Sequence, residues 1–358
     1  MAEPDDRSGP MGVLLINLGT PDSPNVSDVR RYLREFLSDP RVLTMPAPLR
    51  WLLLNAVILP FRPRRSAAAY RSIWTPEGSP LLHFGSVLRD DLGKNLGGGH
   101  IVALGMRYGS PSIEVALQEL LEAGVREIVT VPLFPQYASA STGSALARLG
   151  EVLGSLGTRV PVRIAPPFFD HQGFIRASVE VARPLLDDFV PDHVLFSFHG
   201  LPESQVRDLD PTASHCLVKS DCCDNPCPAN RSCYRAQCFA TARALEGALD
   251  LPAAETTVAF QSRLGRAKWL EPDLTRVLPD LAARGTKRVA VMCPAFVADC
   301  LETVEEIGMR AREQWAELGG EALCLVPCVN AHPSWVEGLA RIVRDALAVP
   351  ATANAPLT

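Results

Sequence analysis

VLLINLGTP at residues 13–21 and VLFSFHGLP at residues 194–202 are two versions of one stretch: an apolar run of strand formers that ends in a glycine and a proline. Aligned, they place Gly19 on Gly200 and Pro21 on Pro202. Two further matches follow in the same order. VALGMRYG at 102–109 pairs with VAFQSRLG at 258–265, setting Arg107 on Arg263 and Gly109 on Gly265, and REIVTVPLF at 126–134 pairs with RVAVMCPAF at 288–296. Three matches in register read as an internal duplication. Helical stretches lie between and after the strands, at 27–38, at 110–125 with Ser110 expected as cap and Pro111 in the first turn, and at 335–348.

Strand, helix, strand in both halves predicts an α/β protein of two similar Rossmann-like, doubly wound domains. Each has a parallel sheet covered on both faces, with the ligand cleft between the domains. The expected division is 11–165 and 166–329, with a carboxyl-terminal helix at 330–348 packing back on the first domain and VPATANAPLT at 349–358 a frayed tail. The length of 358 residues suits two domains. A net charge of -5 gives no reason to expect a nucleic-acid partner. Neither GxGxxG nor GxxxxGK[ST] follows a strand, which sets aside dinucleotide and ATP. No apolar run reaches the ~18 residues of a membrane span, and the start MAEPDDRSGP is not built like a signal peptide, so a cytoplasmic protein is expected. PAPLRWLLLNAVILPFRPRR at 46–65 reads either as an interfacial segment, giving a peripheral membrane contact or a cover for a large apolar ligand, or as a core helix with a basic end.

Candidate chemistry gathers at two places. His199 stands at a strand's carboxyl end, where open parallel sheets bind ligands, although a structural histidine would also fit there. In VAVMCPAFVADCLETVEEI at 289–307, Asp299, Glu302 and Glu306 recur at steps of three and four, so a helix would put the three acids on one face, as a crevice lining or as a solvated surface.

Six of the ten cysteines fall in SHCLVKSDCCDNPCPANRSCYRAQC at 214–238. In a reducing compartment such clustering points to metal more than to disulfides. CxxC, the usual zinc pairing, is absent, which favours a [2Fe-2S] cluster over zinc or free thiols. Cys216, Cys222, Cys223 and Cys227, the densest four, are the first candidates as ligands, with Cys233 and Cys238 as alternates. Cys293, Cys300, Cys324 and Cys328 read as ordinary buried residues.

Taken together, LLINLGTPDSP, LGMRYGSP, PLFPQYASASTGS, FSFHGLP, FQSRLGRAKWLEP and CPAFVADCLETVEEI make the chain from 11 to about 348 resemble the ferrochelatases, which insert ferrous iron into a porphyrin in haem synthesis. The resemblance implies two Rossmann-like domains around a porphyrin cleft, with His199 and Glu302 facing the porphyrin centre and meeting Fe2+, and Glu306 and Asp299 at the neighbouring acidic positions. It implies cleft-lining roles for Arg62, Tyr70, Arg107 and Tyr137, and an apolar lip at 46–61. Some members carry a [2Fe-2S] cluster near the chain end; here the cysteines form an internal insert. Ala140 stands where relatives often have cysteine, a change of packing. Protoporphyrin IX is the favoured substrate and coproporphyrin III the alternative. Rival readings are a chelatase for another metal or tetrapyrrole, a non-catalytic haem-binding protein, and an iron–sulfur redox sensor.

Overall fold

The computed structural model describes residues 9–263 and 267–348. Gly265, the expected counterpart of Gly109, lies outside the described residues, as do 1–8 and the tail 349–358. Two four-stranded, all-parallel sheets form the scaffold. The first contains β1 (Met11–Thr20), β2 (His100–Gly109), β3 (Glu127–Pro132) and β4 (Val162–Ile164) in the order β2-β1-β3-β4. The second contains β5 (His193–His199), β6 (Thr256–Gln261), β7 (Arg288–Met292) and β8 (Ala322–Leu325) in the order β6-β5-β7-β8. The orders are the same, strand for strand, so the duplicated motifs are duplicated strands. A fourth equivalent pair, β4 and β8, completes each sheet.

The pairing register slips within this likeness. Val13 sits opposite Val102. By the motif alignment Val194 should face Val258, but it faces Thr256. A slip of two keeps every side chain on its face of the sheet, which is why the duplicated pattern tolerates it. The turn glycines have a shared cause. A Cβ on Gly19, where φ is +112°, would lie 1.7 Å from the Tyr108 carbonyl oxygen, and one on Gly200 would lie 2.7 Å from that of Gln261. In both halves the strand end must pass close against its neighbour's backbone, and only glycine permits it.

Helices cover the sheets: α1 (Val26–Ser38), α2 (Ala47–Leu52), α3 (Leu59–Ile73), α4 (Pro80–Leu96), α5 (Ile113–Glu122) and α6 (Ser144–Leu156) in the first half. The second half has α7 (Gln172–Phe189), α8 (Glu203–Arg207), α9 (Tyr234–Leu249), α10 (Leu274–Ala283), α11 (Arg312–Glu317) and α12 (Pro333–Ala348). The cap of α5 is Ser112 rather than Ser110; its hydroxyl accepts the Val115 N–H, because the helix starts two residues later than the proline suggested. Helix α12 packs on α7, α4 and the β3 and β4 strands, tying the chain end to the first sheet. Its Trp335 is fully buried against Phe168 and Phe174, at centroid distances of 5.5 and 5.7 Å. Removing such a ring from a core costs about 3–5 kcal/mol. One apolar cluster runs from Val13 and Val129 through Trp335 to Phe196 and Phe260, so the two halves share a core.

Three segments are π-helical: Leu53–Ile58, Ser139–Gly143 and Leu301–Ala311. Such turns concentrate at functional sites. The first divides 46–65, which runs as α2, a π turn and α3 in series. Leu54 and Leu59 are buried, whereas Leu49, Trp51, Leu52, Val57 and Phe61 stand exposed, Phe61 by 76%. Among the described residues no helix is long and apolar enough to cross a membrane.

Candidate active site

The order β6-β5-β7-β8 leaves β5 on one side for β6 and then returns past it to β7, so a crevice opens beyond the carboxyl ends of β5 and β7. His199 is the last residue of β5, and the loop after β7 leads into the π-helix Leu301–Ala311. Both candidate groups therefore flank the place where this topology holds ligands.

The His199 ring nitrogen Nδ1 lies 2.7 Å from the Gly200 carbonyl oxygen. A carbonyl only accepts, so Nδ1 carries the hydrogen, and in the neutral ring the lone pair is on Nε2. The His199 carbonyl in turn accepts a hydrogen bond of 2.8 Å from the Tyr234 hydroxyl, and the Gly200 N–H donates to the Gln261 carbonyl at 2.7 Å. The strand end is thus held on three sides.

Glu306 faces this histidine from the π-helix. The Ser262 N–H donates to Glu306 Oε1 at 3.0 Å and the Ser262 hydroxyl to Oε2 at 2.5 Å. Burial pushes the Glu306 carboxyl above its ordinary value; the Ser262 hydroxyl opposes that, the charge of Glu302 adds to it, and His199 and Arg310 oppose it. Ser262 has a φ of +65°, a left-handed conformation that costs a residue with a Cβ about 1–3 kcal/mol and that clusters at functional sites. This backbone turn aims both donors at one carboxylate. Gln261 braces the same corner: its amide donates to the Glu302 carbonyl at 2.7 Å, and its Oε1 accepts from the Ser197 hydroxyl at 2.6 Å. Neither residue was a candidate from sequence, although both lie in VAFQSRLG, the second copy of a duplicated strand.

Glu302 lies within electrostatic reach of Arg62, Tyr32 and Tyr70, because α3 packs on the π-helix. Arg62 is exposed, and Tyr70 is buried with its ring edge-on to Tyr32 at 6.3 Å. Asp299 does not share the acidic face. The π-helix starts at Leu301 after an extended Cys300, and the Asp299 carboxylate is taken up by the Cys328 N–H at 3.0 Å and the Asn330 side-chain amide at 2.8 Å. Spacing counted through a helix start misplaced it; Asp299 ties the helix entry to the loop before α12.

Arg107 is likewise committed. Its Nε donates to the Ser144 hydroxyl at 2.7 Å and its Nη2 to Asp39 Oδ2 at 2.7 Å, and Tyr108 donates to the same oxygen at 2.9 Å. Burial works against the charge of Asp39, but hydrogen bonds from Ser144, the Arg41 N–H and Tyr108, with the charge of Arg107, hold its carboxyl below the ordinary value. These groups brace the root of the lip, where the carbonyl of Asp39 accepts the N–H groups of Val42 and Leu43. Tyr137 is half-buried near the π turn Ser139–Gly143, and its N–H donates to Gln237 of α9 at 2.7 Å, joining the halves.

In the insert, Cys216, Cys222, Cys223 and Cys233 are buried in one apolar cluster, with the Cys222 and Cys223 sulfurs 3.8 Å apart. Cys227 is half-buried with its sulfur 3.4 Å from His215 Nε2, and Cys238 is fully buried within α9. Cys233, first named as an alternate, is thus as buried as Cys216, Cys222 and Cys223. The loop reaches this arrangement through polar knots: Asp210 accepts the N–H groups of Thr212, His215 and Cys216, and Asn230 binds the Cys222 and Asn225 carbonyls. Arg235 Nη1 lies 3.0 Å from Cys223 Sγ and the Leu217 N–H 3.4 Å from Cys222 Sγ, donors that favour thiolates, but the Cys233 thiol and burial push Cys223 above its ordinary value and burial pushes Cys222 up. Among the described residues, no three His, Cys, Asp or Glu side chains are grouped so as to hold one metal ion.

The ferrochelatase family model matches residues 10–347. The chain is 48% identical over 338 residues to a ferrochelatase of Coxiella burnetii, covering 94% of each protein. It is 48% identical over 333 residues to one of Azotobacter vinelandii, covering 93% of this chain and 98% of that one. Among solved structures, SirB from Bacillus subtilis with Fe3+ is similar at a TM-score of 0.52 and 13% identity, over 95% of this chain and 96% of that one, a likeness of fold. The family match from end to end of the two sheets, with near-half identity over almost the whole length, settles the family: this chain belongs to the ferrochelatases.

Proposed function

We propose that the protein inserts Fe2+ into a porphyrin, protoporphyrin IX in the first place, forming haem and releasing two protons. The observation that carries this is that Glu306 lies within electrostatic reach of both His199 and Glu302 beyond the carboxyl ends of β5 and β7, with α3 of the first half packed on the π-helix that bears the two acids. Metallation replaces two pyrrole N–H protons by one ion, so the site needs a proton acceptor, an exit for protons and a surface that strips water from iron. His199 Nε2, with its lone pair set by the bond at Nδ1, accepts a pyrrole proton or ligates the ion. The charge of Glu302 acts on Glu306, and the Glu306 carboxyl, pushed above its ordinary value chiefly by burial, is suited to take up and pass on protons. The exposed apolar side chains of the lip, with Arg62 beside them, cover the ring's apolar face and reach its carboxylates. The same surface is the one suited to a peripheral lipid contact.

Anaerobic protein mixed with Fe2+ and, separately, protoporphyrin IX or coproporphyrin III tests the reading through loss of the free-base spectrum. Turnover of protoporphyrin IX supports it, turnover of coproporphyrin III alone moves the substrate, and turnover of neither contradicts it.

For the insert we infer a [2Fe-2S] site held by Cys216, Cys222, Cys223 and Cys233. A two-iron cluster divides four thiolates between two irons, so it asks for paired sulfurs and for no three donors around one ion, whereas a four-thiolate zinc site asks for all four. When bound, the cluster would supply one-electron redox chemistry; no step of iron insertion is assigned to it. The purified protein is expected to show visible iron–sulfur absorption beyond any porphyrin bands, lost when Cys233 is replaced by serine and kept when Cys227 is. Stoichiometric zinc without acid-labile sulfide would reverse the assignment.

A further inference from the structure

We propose that Tyr234 is a positioning residue that couples the thiol pocket of the insert to His199. The path is short and uses no flexible segment. Cys233 shares a buried cluster with Cys216, Cys222 and Cys223; its N–H donates at 2.9 Å to the carbonyl of Asn230, whose side-chain amide donates to the Cys222 carbonyl at 2.9 Å; it is the cap residue of α9, and Tyr234 is the first residue of that helix. The two Cα atoms are fixed about 3.8 Å apart by the peptide between them. The Tyr234 ring is buried, and its hydroxyl donates to the carbonyl of His199 itself at 2.8 Å. Burial raises this phenol well above its ordinary value of 10.0, so it is a protonated donor throughout the working range.

The His199 imidazole is oriented by the next carbonyl, that of Gly200. The atom that Tyr234 holds and the atom that aims the ring therefore belong to successive peptide groups, joined at the Gly200 Cα. A shift of Cys233, through a change in what the thiols bind, moves Tyr234, turns the 199–200 peptide and re-aims Nε2. The rest of α9 gives this motion a firm base. Gln237 accepts the Tyr137 N–H, and Thr241 accepts from Gln136, both bonds reaching across to the first half. The inference rests on His199 acting in iron insertion.

Tyr234→Phe, which keeps the ring and removes only the donor, tests it in the full-length protein. The expected result is a fall in kcat of about fivefold with the KM for protoporphyrin IX changed by less than about twofold, as for loss of one hydrogen bond of ordinary net strength that orients a reacting group. The visible absorption of the insert stays as in the parent. The second arm is a cycle with Cys223→Ser, read by kcat and by the imidazole 15N resonances of His199 in protein without porphyrin. The cysteine change lowers kcat and shifts those resonances in the parent, and does neither in the Tyr234→Phe background. An unchanged kcat in Tyr234→Phe, or effects that simply multiply, overturns the coupling. If His199→Ala retains full turnover, the functional reading fails instead; an inert Tyr234→Phe in a protein that needs His199 removes only the coupling.

Discussion

His199→Ala is expected to lower kcat for iron insertion by about 10²- to 10⁴-fold, the range that a positioned acid–base group supplies. The porphyrin still binds, because the lip and the apolar walls are untouched. The fold also survives. His199 is half-buried at a strand end, and its ring is engaged with one neighbouring carbonyl, so its loss costs about 1 kcal/mol, or a few degrees in Tm for a chain of this size. Turnover by absorbance, porphyrin binding by fluorescence and Tm by calorimetry separate the three. Normal kcat in the variant would remove the imidazole from the mechanism whatever its geometry.

Glu302→Gln is the second large effect. The substitution keeps size and shape and removes the charge that couples Glu302 to Glu306 and reaches Arg62 and Tyr70. A fall in kcat of about 10²-fold with little change in porphyrin KM is expected if the pair moves protons or iron. There is also a signed effect on its neighbour. The charge of Glu302 pushes the Glu306 carboxyl upward, so neutralising it lets that carboxyl fall, and residual activity should extend to lower pH than in the parent. Unchanged rate and unchanged acid limb would reduce the acidic pair to a solvated surface.

The legible part of this molecule was what repeats. Two strands ending in Gly-x-Pro, and two further pairs in the same order, set out both sheets, since close backbone passage leaves glycine no substitute. The fourth pair of strands, Val162–Ile164 and Ala322–Leu325, is too short to carry a period. His199 was visible because a strand's end can be read from composition. The acidic pair was visible from its spacing, but the same spacing misled at Asp299, where the chain is still extended.

Convergence of side chains from distant elements leaves no mark in a local pattern. Ser262 approaches Glu306 across 44 positions and Tyr234 approaches His199 across 35, and nothing about a serine or a tyrosine in sequence announces either bond. Arg107, placed among cleft residues by resemblance, bonds to Asp39, 68 positions away, a partner that no local spacing announces. Within the insert, density along the chain favoured Cys227, and only the fold shows that Cys233 is buried in one cluster with Cys216, Cys222 and Cys223.

The most direct test is a crystal structure of the protein with a bound metal-free porphyrin. The macrocycle is predicted between the halves, capped by the 46–65 lip, with His199 Nε2 and the carboxylates of Glu302 and Glu306 directed at its pyrrole nitrogens. A porphyrin seated elsewhere on the molecule, or one whose centre is out of reach of His199 and both glutamates, would contradict the account.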